Sequence, residues 1–334
     1  MRFGLALPQY DFSLSSGEPI SVGALLDYAR MAERLGFDSV WVSDHFFYSL
    51  ERYGEDPKPL AAIEPMTALA AVAAATERVR LGSLVLCAGF RNPSVLAKMA
   101  TAIDLISGGR LDLGIGAGWY RDEYEAFGYE FGTIGERFEV LEETVEVLAR
   151  LFAEGPADFE GRRFALRGAF NHPPPAHAGG PPIWVGGKGG DRLLRLVARR
   201  AAGWNTVWRW APDTYAERAA AARRACEEAG RDPATLRLSV GLYTIVGEDE
   251  ADLAKRFETL RTWMPGAMGD ESIGEFAADT LTGTPERVLE RVRAFAALGV
   301  EEIVVSPAQL PFAVPDPSML ELVAEAVVAP GRPI

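Results

Sequence analysis

The chain has 334 residues, 48% of them hydrophobic, with 34 Lys plus Arg against 47 Asp plus Glu and a formal net charge of −13. That apolar content is enough for a large core, and an acidic chain with no basic run repels nucleic acid and anionic membranes. Two cysteines, Cys87 and Cys226, are too few for a disulfide framework or a four-ligand zinc site. No signal peptide is expected at the start, and no apolar run approaches the ~18 residues of a membrane span. The expectation is a cytoplasmic, reduced protein whose partner is a small molecule.

Short β-branched runs alternate with longer amphipathic ones. Residues 2–7 predict a strand, and 22–35 a helix with Leu25, Leu26, Ala29, Ala32 and Leu35 on one face. Residues 39–43 are the second strand, 65–76 an Ala-rich helix, and 80–87 one buried third strand. Asn92 and Pro93 supply the cap and first position of a helix over 93–106. A strand at 111–115 and a helix at 136–153 follow, then an appended hairpin near 158–166. The remaining strands fall at 183–185, 206–208, 237–246 and 303–306, with helices at 191–202, 214–229, 250–263 and 285–298 between them.

Alternation of this kind gives a parallel sheet with right-handed crossovers. Eight units fit a single (β/α)₈ barrel over residues 1–334 better than an open doubly wound sheet. Insertions are placed at approximately 46–64, 155–181 and 263–283. A weak repeat supports closure. Arg34-Leu-Gly-Phe-Asp-Ser-Val-Trp-Val-Ser43 matches Ala297-Leu-Gly-Val-Glu-Glu-Ile-Val-Val-Ser306, and Ala202-Gly-Trp-Asn-Thr-Val-Trp208 is a fainter copy. Each copy is read as a helix ending on a left-handed Gly before a strand enters the core.

In such a barrel, polar residues just after strands are the chemical candidates. His45, in Ser43-Asp44-His45-Phe46, can exchange a proton near neutral pH, against the alternative of a structural histidine held by Asp44. The glycines of Gly114-Ile-Gly-Ala-Gly-Trp119 would let backbone approach a flat ligand. In Val185-Gly-Gly-Lys-Gly-Gly-Asp191, four glycines and Lys188 at a helix start form a phosphate site, or simply a tight turn. One strand-end His is too few for a metal hydrolase, and no strand-end Lys or paired carboxylates support Schiff-base or glycosidase chemistry.

These stretches, with Arg80-Leu-Gly-Ser-Leu-Val-Leu86, Phe90-Arg-Asn-Pro93, Ile106-Ser-Gly-Gly-Arg110, Gly135-Glu-Arg-Phe138, Pro182-Ile-Trp-Val-Gly-Gly187 and Gly283-Thr-Pro-Glu286, resemble the bacterial luciferase-like flavin and deazaflavin oxidoreductases. The combination is most similar to the branch using coenzyme F420. The resemblance implies a ring across the barrel mouth, contacted by Asp44, with His45 facing substrate. It implies a non-prolyl cis peptide at Leu84–Val85 supporting the ring, with Cys87, Ala117 and Gly118 along the cofactor. It places the phosphate on Gly186, Gly187, Lys188, Gly189 and Gly190. It also implies a homodimer, as family members often are.

Where sugar-phosphate dehydrogenases of this family carry a Glu, this chain has Trp119, and their basic phosphate pocket has no match here. Trp119, Trp204, Trp208 and Trp210 are expected to crowd the mouth, with Trp119, Tyr120 and Trp208 lining a pocket for an apolar or aromatic substrate. Should His45 not serve, Trp119, Tyr120 and Glu123 are next in line. The leading expectation is F420-dependent hydride transfer; the alternatives are an FMN-dependent monooxygenase and a non-catalytic flavin-binding barrel.

Overall fold

A computed structural model describes residues 1–329. The end of the expected domain, residues 330–334, lies outside the described residues. Eight parallel strands close on themselves: β1 (Arg2–Ala6), β2 (Ser39–Val42), β3 (Arg80–Ser83), β4 (Leu111–Gly116), β5 (Ile183–Gly186), β6 (Gly203–Trp208), β7 (Arg237–Val246) and β8 (Glu302–Ser306). β5 pairs with β4 and β8 with β1, so the sheet has no free edge in the ring. This is the expected (β/α)₈ architecture.

Helices α1 (Val22–Leu35), α2 (Pro65–Ala75), α3 (Pro93–Ser107), α4 (Arg121–Ala126), α5 (Ile134–Phe152), α6 (Asp191–Arg200), α7 (Pro212–Glu228), α8 (Glu250–Trp263), α9 (Pro285–Ala297) and α10 (Pro317–Val323) surround it. Local chemistry sets their ends. Asn92 caps α3 by accepting from the Ser94 N–H, and Thr133 and Glu136 form a capping box on α5. The Gly108-Gly109 turn after α3 is left-handed, which brings Arg110 back over α2. Its guanidinium donates to the carbonyls of Ala73, Thr76 and Val79 at 2.7–2.8 Å, capping the C-terminal turn of α2.

Inside the barrel, the indoles of Trp41 and Trp184 meet edge to face at 6.5 Å, both fully buried. Glycines on neighbouring strands make room for them: a Cβ on Gly4 or Gly82 would strike Trp41, and one on Gly203 would strike Trp184. The third repeat is therefore different in kind. Gly203 lies within β6 for packing, and α6 ends at Ala201 without a left-handed glycine. The strand ends below these indoles hold an ionic layer. Trp184 Nε1 donates to Asp112 at 3.1 Å, Arg80 Nε to Asp112 at 2.5 Å, and Arg2 pairs with Glu302 at 3.0 Å.

The third strand differs from its expected form. It breaks after Ser83, whose Oγ accepts from the Gly114 N–H and donates to the Gly114 carbonyl, 2.9 Å each, in place of ladder bonds. Leu86–Cys87 then rejoins β4 opposite Ile115 and Gly116. The intervening Leu84–Val85 bond is cis, and so is Val207–Trp208. β6 begins three residues before the expected 206 because Gly203 already pairs with Arg237.

Ala157–Glu160 and Ala165–Ala169 form an antiparallel hairpin apart from the barrel sheet, as expected. Residues 46–64 contain a short strand pair, Phe47–Tyr48 with Leu60–Ala61, around a 3₁₀ turn at Glu51–Tyr53. Residues 263–283 contain two short helices and the strand Leu281–Gly283, which extends the far end of β7. No helix among the described residues is long and apolar enough to cross a membrane.

Candidate active site

The C-terminal strand ends open into a cavity of about 780 Å³. Its lining includes Asp44, His45, Leu84, Val85, Cys87, Ala117, Gly118, Trp119, Tyr120, Gly186, Gly187, Lys188, Gly190 and Trp208, so nearly every sequence-chosen residue meets there. Gly189 stands in the same loop, facing Trp204.

Position begins with the end of β2. Gln9 Nε2 donates to the Ser43 carbonyl at 2.7 Å, and Ser43 N–H returns a bond to Gln9 Oε1 at 2.7 Å. This side-chain clamp fixes the turn that projects Asp44 and His45. Asp44 is buried, and both its oxygens are engaged. Arg91 forks onto them at 2.6 and 3.0 Å, and the Cys87 N–H donates at 2.8 Å. Arg91 also reaches Glu64 at 2.6 Å. Arg91 stands in the Phe90-Arg-Asn-Pro93 motif, so its ionic role was signalled by sequence without being assigned.

His45 does not depend on Asp44. Its Nδ1 lies 2.7 Å from Oε2 of Glu123, a carboxylate on α4 that is only 1% exposed. The other oxygen, Oε1, accepts the N–H groups of Phe46 and Phe47. A carboxylate accepting at Nδ1 sets the tautomer and leaves Nε2 for a reacting group. Glu123 was a fallback candidate in the sequence; its pairing with His45 was not foreseen.

Aromatic rings surround the imidazole: Tyr48 at 5.2 Å, Trp119 at 5.8 Å and Tyr120 at 6.1 Å between centroids. Trp208 stacks on Tyr243 across the cavity at 5.6 Å. Burial pushes the hydroxyls of Tyr10, Tyr48 and Tyr243 above the usual phenol range, so they stay protonated. Burial likewise pushes the Cys87 thiol up to about 12, opposed by the Tyr124 hydroxyl 2.8 Å from its sulfur.

One expectation needs correction. Trp204 and Trp210 do not line the cavity. Trp204 is fully buried against Tyr215 at 5.4 Å, donates to the Gly187 carbonyl at 2.9 Å, and meets Trp210 edge to face. Lys188 extends over the Trp210 ring at 5.1 Å and donates to the Val207 carbonyl. These two indoles buttress the 186–190 loop from behind. Gly114 and Gly116 also have a packing reason of their own. The Ser83 carbonyl would strike a Cβ on Gly114, and Val85 Cγ2 would lie 2.8 Å from one on Gly116. Val85 equally excludes a Cβ from Gly186, at 2.6 Å, so one valine accounts for glycines on two strands.

One buried polar atom in the wall is unmatched: the Thr206 hydroxyl has no hydrogen-bond partner. No cluster of His, Cys, Asp or Glu suited to a metal ion occurs among the described residues.

Comparison with known proteins extends this geometry. Residues 1–302 match the luciferase-like monooxygenase family. An F420-dependent glucose-6-phosphate dehydrogenase of Kineococcus radiotolerans is 33% identical over 253 residues, covering 75% of this chain and 71% of that protein. A phthiodiolone/phenolphthiodiolone dimycocerosates ketoreductase of Mycobacterium kansasii is 28% identical over 321 residues, covering 81% and 87%. Among solved structures, an F420-dependent secondary alcohol dehydrogenase with an F420-acetone adduct shares the fold, with a TM-score of 0.78, 21% identity and 98% coverage of both chains. The monooxygenase RslO1 of Streptomyces bottropensis gives a TM-score of 0.78 at 25% identity, covering 99% of this chain and 100% of that one. The chain belongs to the luciferase-like monooxygenase family of oxidoreductases.

Proposed function

We propose that this chain is an F420-dependent oxidoreductase moving a hydride between the deazaflavin C5 and a small organic substrate with an apolar or aromatic body. The observation that carries the reading is the His45–Glu123 pair at the aromatic end of the cavity. The F420-dependent relatives support the cofactor.

The residues fit such a group. The unpartnered Thr206 hydroxyl offers a polar contact in an otherwise satisfied wall. Leu84, Val85, Cys87, Ala117 and Gly118 would lie along the ring. Gly186 to Gly190, at the N-terminus of α6, would hold the phosphate through N–H groups and the helix dipole, with Lys188 adding charge. When bound, the deazaflavin supplies or accepts a hydride at C5. Asp44 contributes by holding the Leu86–Cys87 segment, since its oxygens are already bonded. His45 Nε2 takes the substrate's proton in oxidation or returns it in reduction, and Glu123 orients the ring and balances the imidazolium charge. Trp119, Tyr120 and Trp208 exclude water and hold the substrate's apolar part. An FMN-dependent monooxygenase is the second reading, supported by the full-length likeness to RslO1.

The test is oxidation of reduced F420, followed by absorbance, with a panel of aryl ketones and activated alkenes. Turnover with at least one member, lowered ~10²–10⁴-fold in folded His45→Asn, is expected. Undiminished turnover in that variant would remove His45 from the mechanism.

A further inference from the structure

Three cationic side chains, Arg52, Lys188 and Arg209, line the cavity. Arg209 is neutralised by Glu271 at 2.9 Å and Asp279 at 2.8 Å, and Lys188 rests on the Val207 carbonyl. Arg52 differs. No carboxylate lies within the 4.0 Å ion-pair distance of it among the described residues. Its guanidinium instead lies over the rings of Trp119, at 5.4 Å, and Tyr53, at 5.3 Å. Arg52 is exposed at the mouth, where it hydrogen-bonds the Tyr48 hydroxyl and has no carboxylate counterion within ion-pair distance, so a ligand anion can supply one.

The neighbours cannot serve as the counterion. Tyr48 and Tyr243 stay protonated because burial opposes their ionisation, and the Tyr53 and Tyr243 hydroxyls face each other at 3.4 Å. The 3₁₀ turn Glu51–Tyr53 is closed by Gly54 in the left-handed region, φ 78°, which holds Arg52 at the mouth. One indole, Trp119, separates the guanidinium from the His45 imidazole, touching both. A ligand spanning that gap has a planar apolar body, its reacting carbon beside His45, and an anionic group at the far end. A guanidinium fork recognises a carboxylate by two parallel charge-assisted hydrogen bonds, which a neutral carboxamide with its one acceptor oxygen cannot provide.

We infer that Arg52 is the substrate's anion-recognition residue, and that the substrate is an aryl or similarly planar carboxylic acid. The inference rests on reading the aromatic end of the cavity as the substrate end of an F420-dependent site. The same chemistry could come from a second source, the glutamate carboxylates of the F420 tail, and the test separates the two.

F420-loaded protein is titrated calorimetrically with naphthalene-2-carboxylate and, in parallel, the isosteric naphthalene-2-carboxamide. The carboxylate should bind roughly tenfold tighter or more, the scale of a charge-assisted hydrogen bond. Arg52→Gln should erase that preference while leaving amide affinity and F420 affinity within about twofold, and Arg52→Lys should keep part of it. Equal binding of the two ligands by the wild type, or a preference that survives in Arg52→Gln, overturns the inference. So does a loss of F420 affinity in Arg52→Gln with ligand preference unchanged, which assigns Arg52 to the tail. Failure of the wild type to bind F420 sinks the cofactor reading instead, and the same pair of titrations on cofactor-free protein still decides the role of Arg52.

Discussion

His45 Nδ1 and Glu123 Oε2 lie 2.7 Å apart although 78 residues separate them in the chain. One carboxylate does two jobs there, since its second oxygen gathers the N–H groups of Phe46 and Phe47 where the 46–64 segment leaves the strand end. The tautomer of the proposed proton carrier and the entry of that segment are tied to the same side chain.

Glu123→Gln keeps the shape but replaces the charged acceptor with an amide that can present the wrong group to Nδ1. Turnover should fall at least tenfold, towards the ~10⁴-fold loss seen when a buried orienting carboxylate becomes an amide. F420 affinity should hold. Single-turnover absorbance together with a binding titration checks both, and equal losses in turnover and binding would mean a merely structural role.

Gly186→Ala places a methyl group 2.6 Å from Val85 Cγ1 and 2.8 Å from Cγ2, so Val85 must shift. Overpacking of this kind costs about 1–3 kcal/mol. Because Val85 is a proposed ring contact, F420 affinity should fall together with the denaturation midpoint. A variant of lowered stability and unchanged affinity would separate Val85 from the cofactor.

Cys87 should resist alkylation. Its thiol is pushed up to about 12 by burial, so almost no thiolate exists at pH 8, and the side chain is only 7% exposed. The sign of the linkage follows. The folded state holds this proton more tightly than the unfolded chain, whose thiol titrates near ~8.5. Its contribution to stability is complete below that value and is lost as pH rises towards about 12. Iodoacetamide labelling of native protein at pH 8, read by mass spectrometry, should leave Cys87 unmodified; rapid labelling would contradict the burial.

Asp112, in the ionic layer at the opposite end of the barrel, bonds Arg80 and Trp184. Asp112→Ala takes the acceptor from Arg80 Nε and from the Trp184 indole N–H, while Arg80 still donates to the Leu111 carbonyl, a loss of about 1–3 kcal/mol. Urea denaturation should register it, while turnover per folded molecule stays near wild type. A catalytic defect without loss of stability would be the contrary result.

The barrel was legible because period-2 and period-3.6 patterns alternate cleanly and because glycine turns such as Gly36 and Gly299 punctuate them. Motif position also singled out many of the residues that line the cavity. What the sequence hid was which face a residue takes. Trp204 and Trp208 share a parity on one strand, yet Trp204 packs outward on Tyr215 and Trp208 lines the cavity. The run 80–87 reads as continuous strand, because nothing local announces that Ser83 will bond across to Gly114 and end the ladder. The pairings Asp44–Arg91 and His45–Glu123 join different βα units, and only the side-by-side parallel pairing of β2, β3 and β4 brings them together.

On the proposed reading this cavity is built for F420. Direct titration of one purified sample with F420 and with FMN, at matched ionic strength, tests it without needing a substrate. F420 should bind more tightly, and Lys188→Ala should weaken F420 binding most at low salt, where its charge is least screened. Tighter binding of FMN, or no binding of F420, would mean that the cavity is not an F420 site.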